Sequence, residues 1–201
     1  MKRKSILLAC LVLIVSGAFL TGCAGFHFLS GGPSAKNFKK PHVTLESVEV
    51  SHSFGYWYFS KKVKPTKGNP DNVGAPLELA FVFNVENLNS YPVLLEDIKF
   101  TIAFEEFDLN TVNSTATQWI PPGKTNQIMV PAHFDVRQSL LSLLVTGGFK
   151  LKAKKTNVWA QLEKWWTDIP NYATPIYVKG GAAIFQAGDL SEVATFDAVF
   201  P

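Results

Sequence analysis

From Pro41 onward, apolar and polar residues mostly alternate with period two, which predicts a succession of short β-strands. Val43, Leu45, Val48 and Val50 follow it with one phase slip at Ser47, so the segment is two short strands or one bulged strand. Phe54 to Phe59 is strongly β-prone, whereas Lys61 to Pro76, rich in Lys, Pro, Gly and Asn, reads as an exposed loop. The cleanest run is Leu77 to Val85, with Leu77, Leu79, Phe81, Phe83 and Val85 on one face. A turn at Asn87 to Pro92 leads into Val93 to Phe107, one or two strands around Leu95, Ile98, Phe100, Ile102 and Phe104. Trp119 to Gly123 reads as a turn. Gln127 to Phe134 reads as a strand whose Pro131, lacking an N–H, predicts a sheet edge or a bulge.

In two places the spacing becomes helical. Asp135 to Val145 puts Val136, Leu140, Leu143 and Leu144 on one side, with Asp135 as N-cap and Gly147-Gly148 as the stop. Asn157 to Trp166 groups Trp159, Leu162, Trp165 and Trp166, capped by Thr156 or Asn157. Between them Phe149 to Ala153 alternates as a strand. Ile176 to Phe185 is a further strand, bulged at Gly180-Gly181, and Phe196, Val199 and Phe200 mark a last edge strand. Seven or so strands separated by turn signals predict a mainly β fold, an antiparallel β-sandwich with one or two short added helices.

The first residues follow a different rule. Lys2, Arg3 and Lys4 precede an apolar stretch from Ile6 to Leu20 that is shorter than the ~20 residues needed to span a bilayer, the form of a secretory signal. Leu20-Thr21-Gly22-Cys23 then places small residues directly before a cysteine, which resembles the lipobox of bacterial lipoproteins. That resemblance implies cleavage between Gly22 and Cys23, a diacylglyceryl group on the Cys23 sulfur and acylation of the new amino terminus. Ala24 stands where an aspartate commonly marks inner-membrane retention, so the implied place in a Gram-negative host is the periplasmic face of the outer membrane. Residues 1–22 are thus expected to be a signal, 23–40 a lipidated cysteine and flexible tether, and 41–201 the folded domain.

The cysteine count sharpens this picture. Cys10 lies in the signal and Cys23 at the cut, so the expected mature chain has no disulfide within it, and its stability must come from its core. Hydrophobic residues make up 47% of the 201 and charged residues 17%, ample apolar material for that core. Removing Lys2, Arg3 and Lys4 from the 19 basic residues leaves 16, equal to the 16 acidic ones. A neutral chain with scattered charges lacks the basic footprint of a nucleic-acid binder.

Candidate chemistry is sparse. His27, His42, His52 and His133 have no spacing typical of a zinc site, and there is no nucleophile elbow, P-loop or dinucleotide fingerprint. Glu105, Glu106 and Asp108 form the one carboxylate cluster. Glu106 and Asp108 would share a strand face, where two acids either hold a cation, act as acid and base, or simply face solvent. No enzyme activity, metal or cofactor is expected. Two aromatic clusters, Tyr56-Trp57-Tyr58-Phe59 and Trp159 with Trp165 and Trp166, are candidates for an apolar-ligand cavity, a membrane contact or plain core packing. Neighbours on a helix diverge, so one of Trp165 and Trp166 is expected to be exposed.

The segment Val82-Phe83-Asn84-Val85-Glu86-Asn87-Leu88-Asn89-Ser90-Tyr91-Pro92, continuing to Ile102, resembles the signature of the late-embryogenesis-abundant (LEA) group 2, or water-stress and hypersensitive-response, family. Gly123-Lys124-Thr125 before a strand ending Val130-Pro131, the helix containing Val136 and Ser139 to Leu144, and the closing Pro175 to Gly180 fall in the family's order. The similarity spans residues 42–187. It departs at Leu88, where the family has proline, in the insertion-like Thr156 to Asn171, and in a long Phe54 to Asn72 region. The resemblance implies an immunoglobulin-like or fibronectin-like sandwich with a short crossing helix, and a role in desiccation or general stress. Independently of it, Asn87, Asn89 and Pro92 have the chemistry to fix a tight turn.

The leading expectation is a non-enzymatic, lipid-anchored envelope protein acting as a protective or interaction module. One alternative is binding or transfer of lipid or another apolar ligand, which predicts an apolar cavity of hundreds of Å3. Another is an assembly factor that pairs a sheet edge with a partner protein of the envelope.

Overall fold

The computed structural model describes residues 32–56 and 75–201. The signal peptide, Gly22, Cys23, Trp57 and Tyr58 lie outside the described residues. The chain divides into two units, residues 1–38 and 39–201. In the first, Asn37 organises a turn: its Oδ1 accepts from the Ser34 N–H at 2.9 Å and its Nδ2 donates to the Gly32 carbonyl at 3.1 Å.

The second unit is a β-sandwich. Strands β1 (His42–Ser53), β2 (Pro76–Glu86) and β6 (Thr125–Asp135) form a three-stranded antiparallel sheet in the order β1-β2-β6. Strands β4 (Phe107–Ser114), β3 (Val93–Phe104), β7 (Ile176–Ala187) and β8 (Leu190–Phe200) form the second sheet in that order. The short β5 (Gln118–Ile120) pairs with the Val93 end of β3. Helices α1 (Val136–Thr146), α2 (Gly148–Ala153) and α3 (Val158–Asp168) follow β6, and a 3-10 turn, Ile169–Asn171, leads to β7.

Leu77, Leu79, Phe81, Phe83 and Val85 of β2 are all buried and face the second sheet, as their alternation predicts. Phe100 of β3 meets Phe81 at 5.3 Å and Phe83 at 5.1 Å, and Phe83 meets Phe196 of β8 at 5.3 Å, so a cluster of rings joins the two layers. The phase slip at Ser47 is a bulge in a single strand, since the β1–β2 register shifts between Leu45 and Ser47. Pro131 sits in β6, an edge among the described strands. The glycine pair of β7 is likewise a bulge, with Gly180 in the left-handed region at φ 58°. A Cβ on Gly181 would stand 2.5 Å from the ring of Phe196, so only glycine lets the two strands approach there.

Three expectations are overturned. Phe149 to Ala153 is helical, within α2, because its alternation is too short to fix a period and Leu151 buries itself against the domain from a helical turn. Trp119 and Ile120 form β5 rather than a turn, because Val93 and Leu94 at the start of β3 offer them backbone partners; the turn is residues 121–124. The face of α1 is also rotated. Val136, Ser139 and Leu143 are buried, whereas Leu144 is 60% exposed, because it lies about 110° round the helix from the centre of that buried arc. The caps match the pattern. The Asp135 side chain accepts from the Arg137 N–H at 2.8 Å, and the Asn157 side chain accepts from the Ala160 N–H at 3.0 Å.

Candidate functional site

The turn between β2 and β3 is built on two buried asparagines. Asn87 Nδ2 points at the carbonyls of Tyr91, Ile120 and Pro121 at 2.8, 3.0 and 3.2 Å, while its Oδ1 accepts from both the backbone and the side chain of Asn89 at 2.9 and 3.0 Å. The Asn87 N–H donates to the Lys124 carbonyl, and the Gly123 N–H donates to the Asn89 carbonyl. One side chain therefore ties its own turn to the β5–β6 turn.

Asn89 completes the arrangement outward. Its Oδ1 accepts from the Lys39 N–H and its Nδ2 donates to the Lys39 carbonyl, both at 2.7 Å. An amide side chain thereby imitates a neighbouring strand at the first residue of the folded unit. Among the described residues, the side-chain hydrogen bonds of this pair are all internal to the protein. Leu88 between them is half exposed. Tyr91 is buried beside the turn, and burial raises its hydroxyl pKa.

Glu105 and Glu106 are the two turn residues between β3 and β4, and Asp108 follows in β4. The strand face expected to be shared by Glu106 and Asp108 does not form, because Glu106 lies in the turn. Glu105, in the left-handed region at φ 54°, is bridged by two lysines: Lys154, which follows α2, and Lys164 of α3 at 2.8 Å. Lys154 also reaches Glu106 at 2.9 Å, and Lys164 reaches Asp168 at 3.1 Å. Burial alone would push the Glu105 carboxyl up, but its hydrogen bonds and ion pairs with Lys154 and Lys164 outweigh this and hold it below its ordinary value. The Lys154 pKa is raised, chiefly by its hydrogen bond to Glu105. Lys164 is raised as well, because the same carboxylate and Asp168 overcome the effect of burial. Asp108 is held apart by Lys179 at 2.8 Å. Glu106 and Asp108 thus have separate lysine partners, and the cluster fastens α2 and α3 to the hairpin. Among the described residues no group of three or more His, Cys, Asp or Glu is placed to hold a metal ion.

The second aromatic cluster is divided by the fold. Trp165 is fully buried edge-on against Phe104 and Phe107, at 5.7 and 5.3 Å, and Trp166 is buried with its Nε1 donating to the Ala75 carbonyl at 2.7 Å. The expectation that one of them is exposed is therefore wrong. The buried arc of α3 includes Gln161, Leu162, Trp165 and Trp166, wide enough to take neighbouring residues. Both indoles are core, which leaves Trp159, 42% exposed, as the member of this cluster at the surface. The Tyr56 hydroxyl donates to the Trp159 carbonyl at 3.3 Å, and Tyr56 has its pKa raised by burial and by Glu163.

On the outer face of the three-stranded sheet, Glu46, Ser47, Glu49, Val82, Gln127 and Met129 line an open depression of about 340 Å3. Gln127 donates across it to Glu46 at 2.6 Å, and the apolar Val82 and Met129 share the lining with these polar groups. His133 pairs with Glu78 at 3.2 Å on the same sheet. Among the described residues no helix is long and apolar enough to cross a membrane. Sequence reasoning singled out the asparagines and the carboxylates but missed their partners, Lys39, Lys154 and Lys164. Those partners are remote in sequence, and nothing in their local pattern distinguishes them from other surface lysines.

No protein-family model matches the chain, and no curated protein matches it. Some solved structures resemble it weakly. A protein from Archaeoglobus fulgidus is 16% identical with a TM-score of 0.40, the match covering 78% of this chain and 94% of that one. The solution structure of a protein described as late embryogenesis abundant is 10% identical with a TM-score of 0.36, covering 100% of this chain and 87% of that one.

Proposed function

We propose that this chain is a non-enzymatic protein held to a bacterial envelope membrane by lipid on Cys23, with a sandwich that serves as a protective or interaction module of the LEA group 2 type. The observation that carries this reading is the Asn87–Asn89 clasp. The residues through which the sequence resembles that family form a buried structural device, and it grips Lys39, where the chain enters the folded unit. A domain carried on a lipid tether needs its entry point fixed, and two backbone hydrogen bonds from a buried side chain supply that. The lysine pairing of Glu105, Glu106 and Asp108 supports the non-enzymatic part, because Glu105 and Glu106 are engaged in holding helices and Asp108 in pairing with Lys179 of β7. Ala24 after the lipidated cysteine favours the periplasmic face of the outer membrane in a Gram-negative host.

Two measurements test it. Cells fed radiolabelled palmitate should label this protein and fail to label Cys23→Ser. A deletion strain dried and rehydrated beside its parent should lose viability, and expression of the gene should restore it. Absence of label in the unaltered protein would sink the lipid anchor, and equal survival of the two strains would sink the stress role.

A further inference from the structure

Helix α1 is apolar on two faces. Val136, Ser139 and Leu143 are buried against the domain, while Leu141, Leu144 and Val145 point outward, exposed to 63%, 60% and 82%. Their spacing of three and four residues puts them on one helical face. Phe149, one further turn along in α2, is 92% exposed. Four large apolar side chains thus form the corner where α1 meets α2, whereas exposed apolar residues on a soluble surface are normally scattered singly.

The charge around this corner has one sign. Residues 136–162 contain five basic side chains, Arg137, Lys150, Lys152, Lys154 and Lys155, and no carboxylate. The nearby acids Glu105 and Glu106 are taken up by Lys154 and, for Glu105, by Lys164. Lys150 donates to a neutral acceptor, the Glu106 carbonyl, at 2.7 Å rather than to a carboxylate. Lys152 and Lys155 are exposed and form no ion pair among the described residues. An apolar tip beside a basic rim matches the interface of a bilayer, where acyl chains lie beneath headgroups and anionic lipids attract lysine.

We propose that the α1–α2 corner is a membrane-docking surface that inserts Leu144, Val145 and Phe149 into the interface of an anionic lipid bilayer. Lys150, Lys152 and Lys155 then lie at headgroup level, with their methylene stems on the apolar side. The proposal rests on the membrane-tether reading only for bringing the domain close to a bilayer; the corner supplies orientation, laying the domain against the surface.

The expected absence of any other thiol in the mature chain makes a single probe possible. The mature protein carrying Val145→Cys is labelled with an environment-sensitive fluorophore and reconstituted into phosphatidylethanolamine–phosphatidylglycerol vesicles. Val193→Cys, toward the opposite end of the five-stranded sheet, is the control. Emission from position 145 should shift to the blue and be quenched by doxyl-labelled lipid, whereas position 193 should stay aqueous. Phosphatidylcholine vesicles should give neither effect at 145. Lys152→Gln and Lys155→Gln should each weaken the interfacial partitioning about fivefold, and Phe149→Ser should abolish the shift. These side chains are exposed, so the substitutions leave the core intact.

Flotation with phosphatidylcholine vesicles, on which the corner does not dock, reads the lipid anchor separately and should be lost in Cys23→Ser. A protein that floats while its probe at 145 remains aqueous on anionic vesicles overturns the docking surface and leaves the anchor standing. A probe that responds to anionic vesicles in Cys23→Ser supports docking independently of the anchor. A probe shielded without vesicles, increasingly with protein concentration, makes the corner a self-association surface and overturns the proposal.

Discussion

Asn89 pairs with both backbone polar groups of Lys39, its Oδ1 and Nδ2 each 2.7 Å from the peptide atom they meet. The residue is itself fixed by Asn87, whose Oδ1 accepts from its backbone and its side chain. The two asparagines therefore act as one unit that joins the β2–β3 turn, the β5–β6 turn and the entering chain.

Replacing Asn87 leaves buried carbonyls and an N–H without partners, each costing about 1–3 kcal/mol. Asn87→Ala should destabilise the domain by about 3 kcal/mol, lowering Tm by about 6–12 °C for a domain of this size. Asn89→Ala should cost less and speed hydrogen exchange at the Lys39 amide. Denaturant titration and amide exchange measure the two effects. An Asn87→Ala protein as stable as the parent would show that the turn does not depend on this hub.

The Glu105 pairing makes stability depend on acid pH. Its carboxyl is held below the ordinary value of 4.5, so the stabilisation is fully present above that value and is lost as pH falls through the lower folded-state value. Lys154 and Lys164 are shifted up from 10.5, so their share is present below that value and is lost as pH rises through the folded-state values. Because both lysines are a third or more exposed, Glu105→Gln should cost only about 1 kcal/mol at neutral pH. It should also flatten the acid limb of a stability–pH curve. An unchanged acid limb would remove Glu105 as its cause.

At Gly181 a Cβ would lie 2.5 Å from the Phe196 ring and 2.6 Å from its carbonyl oxygen, and the backbone atom cannot swing aside. Gly181→Ala should therefore cost about 1–3 kcal/mol or more. Gly180 has open space around it and only its φ of 58° to satisfy, so Gly180→Asn should cost less than Gly180→Val. Urea unfolding of the three variants gives the order directly.

Trp165 and Trp166 differ in one hydrogen bond. Trp166 donates to the Ala75 carbonyl, whereas Trp165 Nε1 is buried without a partner among the described residues. Trp166→Phe should cost about 1–3 kcal/mol more than Trp165→Phe, since it leaves a buried acceptor unpaired in addition to lost packing. Equal costs in a thermal melt would mean that a water satisfies Ala75 when the indole is removed.

Much of the sandwich is legible in the chain because its strands obey local rules. The alternation from Leu77 to Val85 fixes which face of β2 is buried, Ser47 marks the bulge of β1, and Asp135 and Asn157 announce their helices. These features depend on neighbours within a few residues, and so do the turn asparagines as turn-formers.

What the local pattern leaves open is decided where remote segments meet. The residues from Phe149 to Ala153 alternate too briefly to choose a period, and docking of Leu151 makes them helical. The face that α1 buries is set by the groove it enters, which takes Ser139 and turns Leu144 outward. Two neighbouring tryptophans are both buried because α3 is covered over a wide arc, a property of its surroundings rather than of its own sequence. The partners of Asn89 and Glu105 lie about fifty residues away along the chain, and only closure of the sandwich and packing of the helices bring Lys39, Lys154 and Lys164 within reach. Local pattern thus sets the long strands, the helix caps and the chemistry available at each position. The tertiary structure decided which of those groups are spent holding the fold and which remain exposed, because burial and pairing depend on the whole chain.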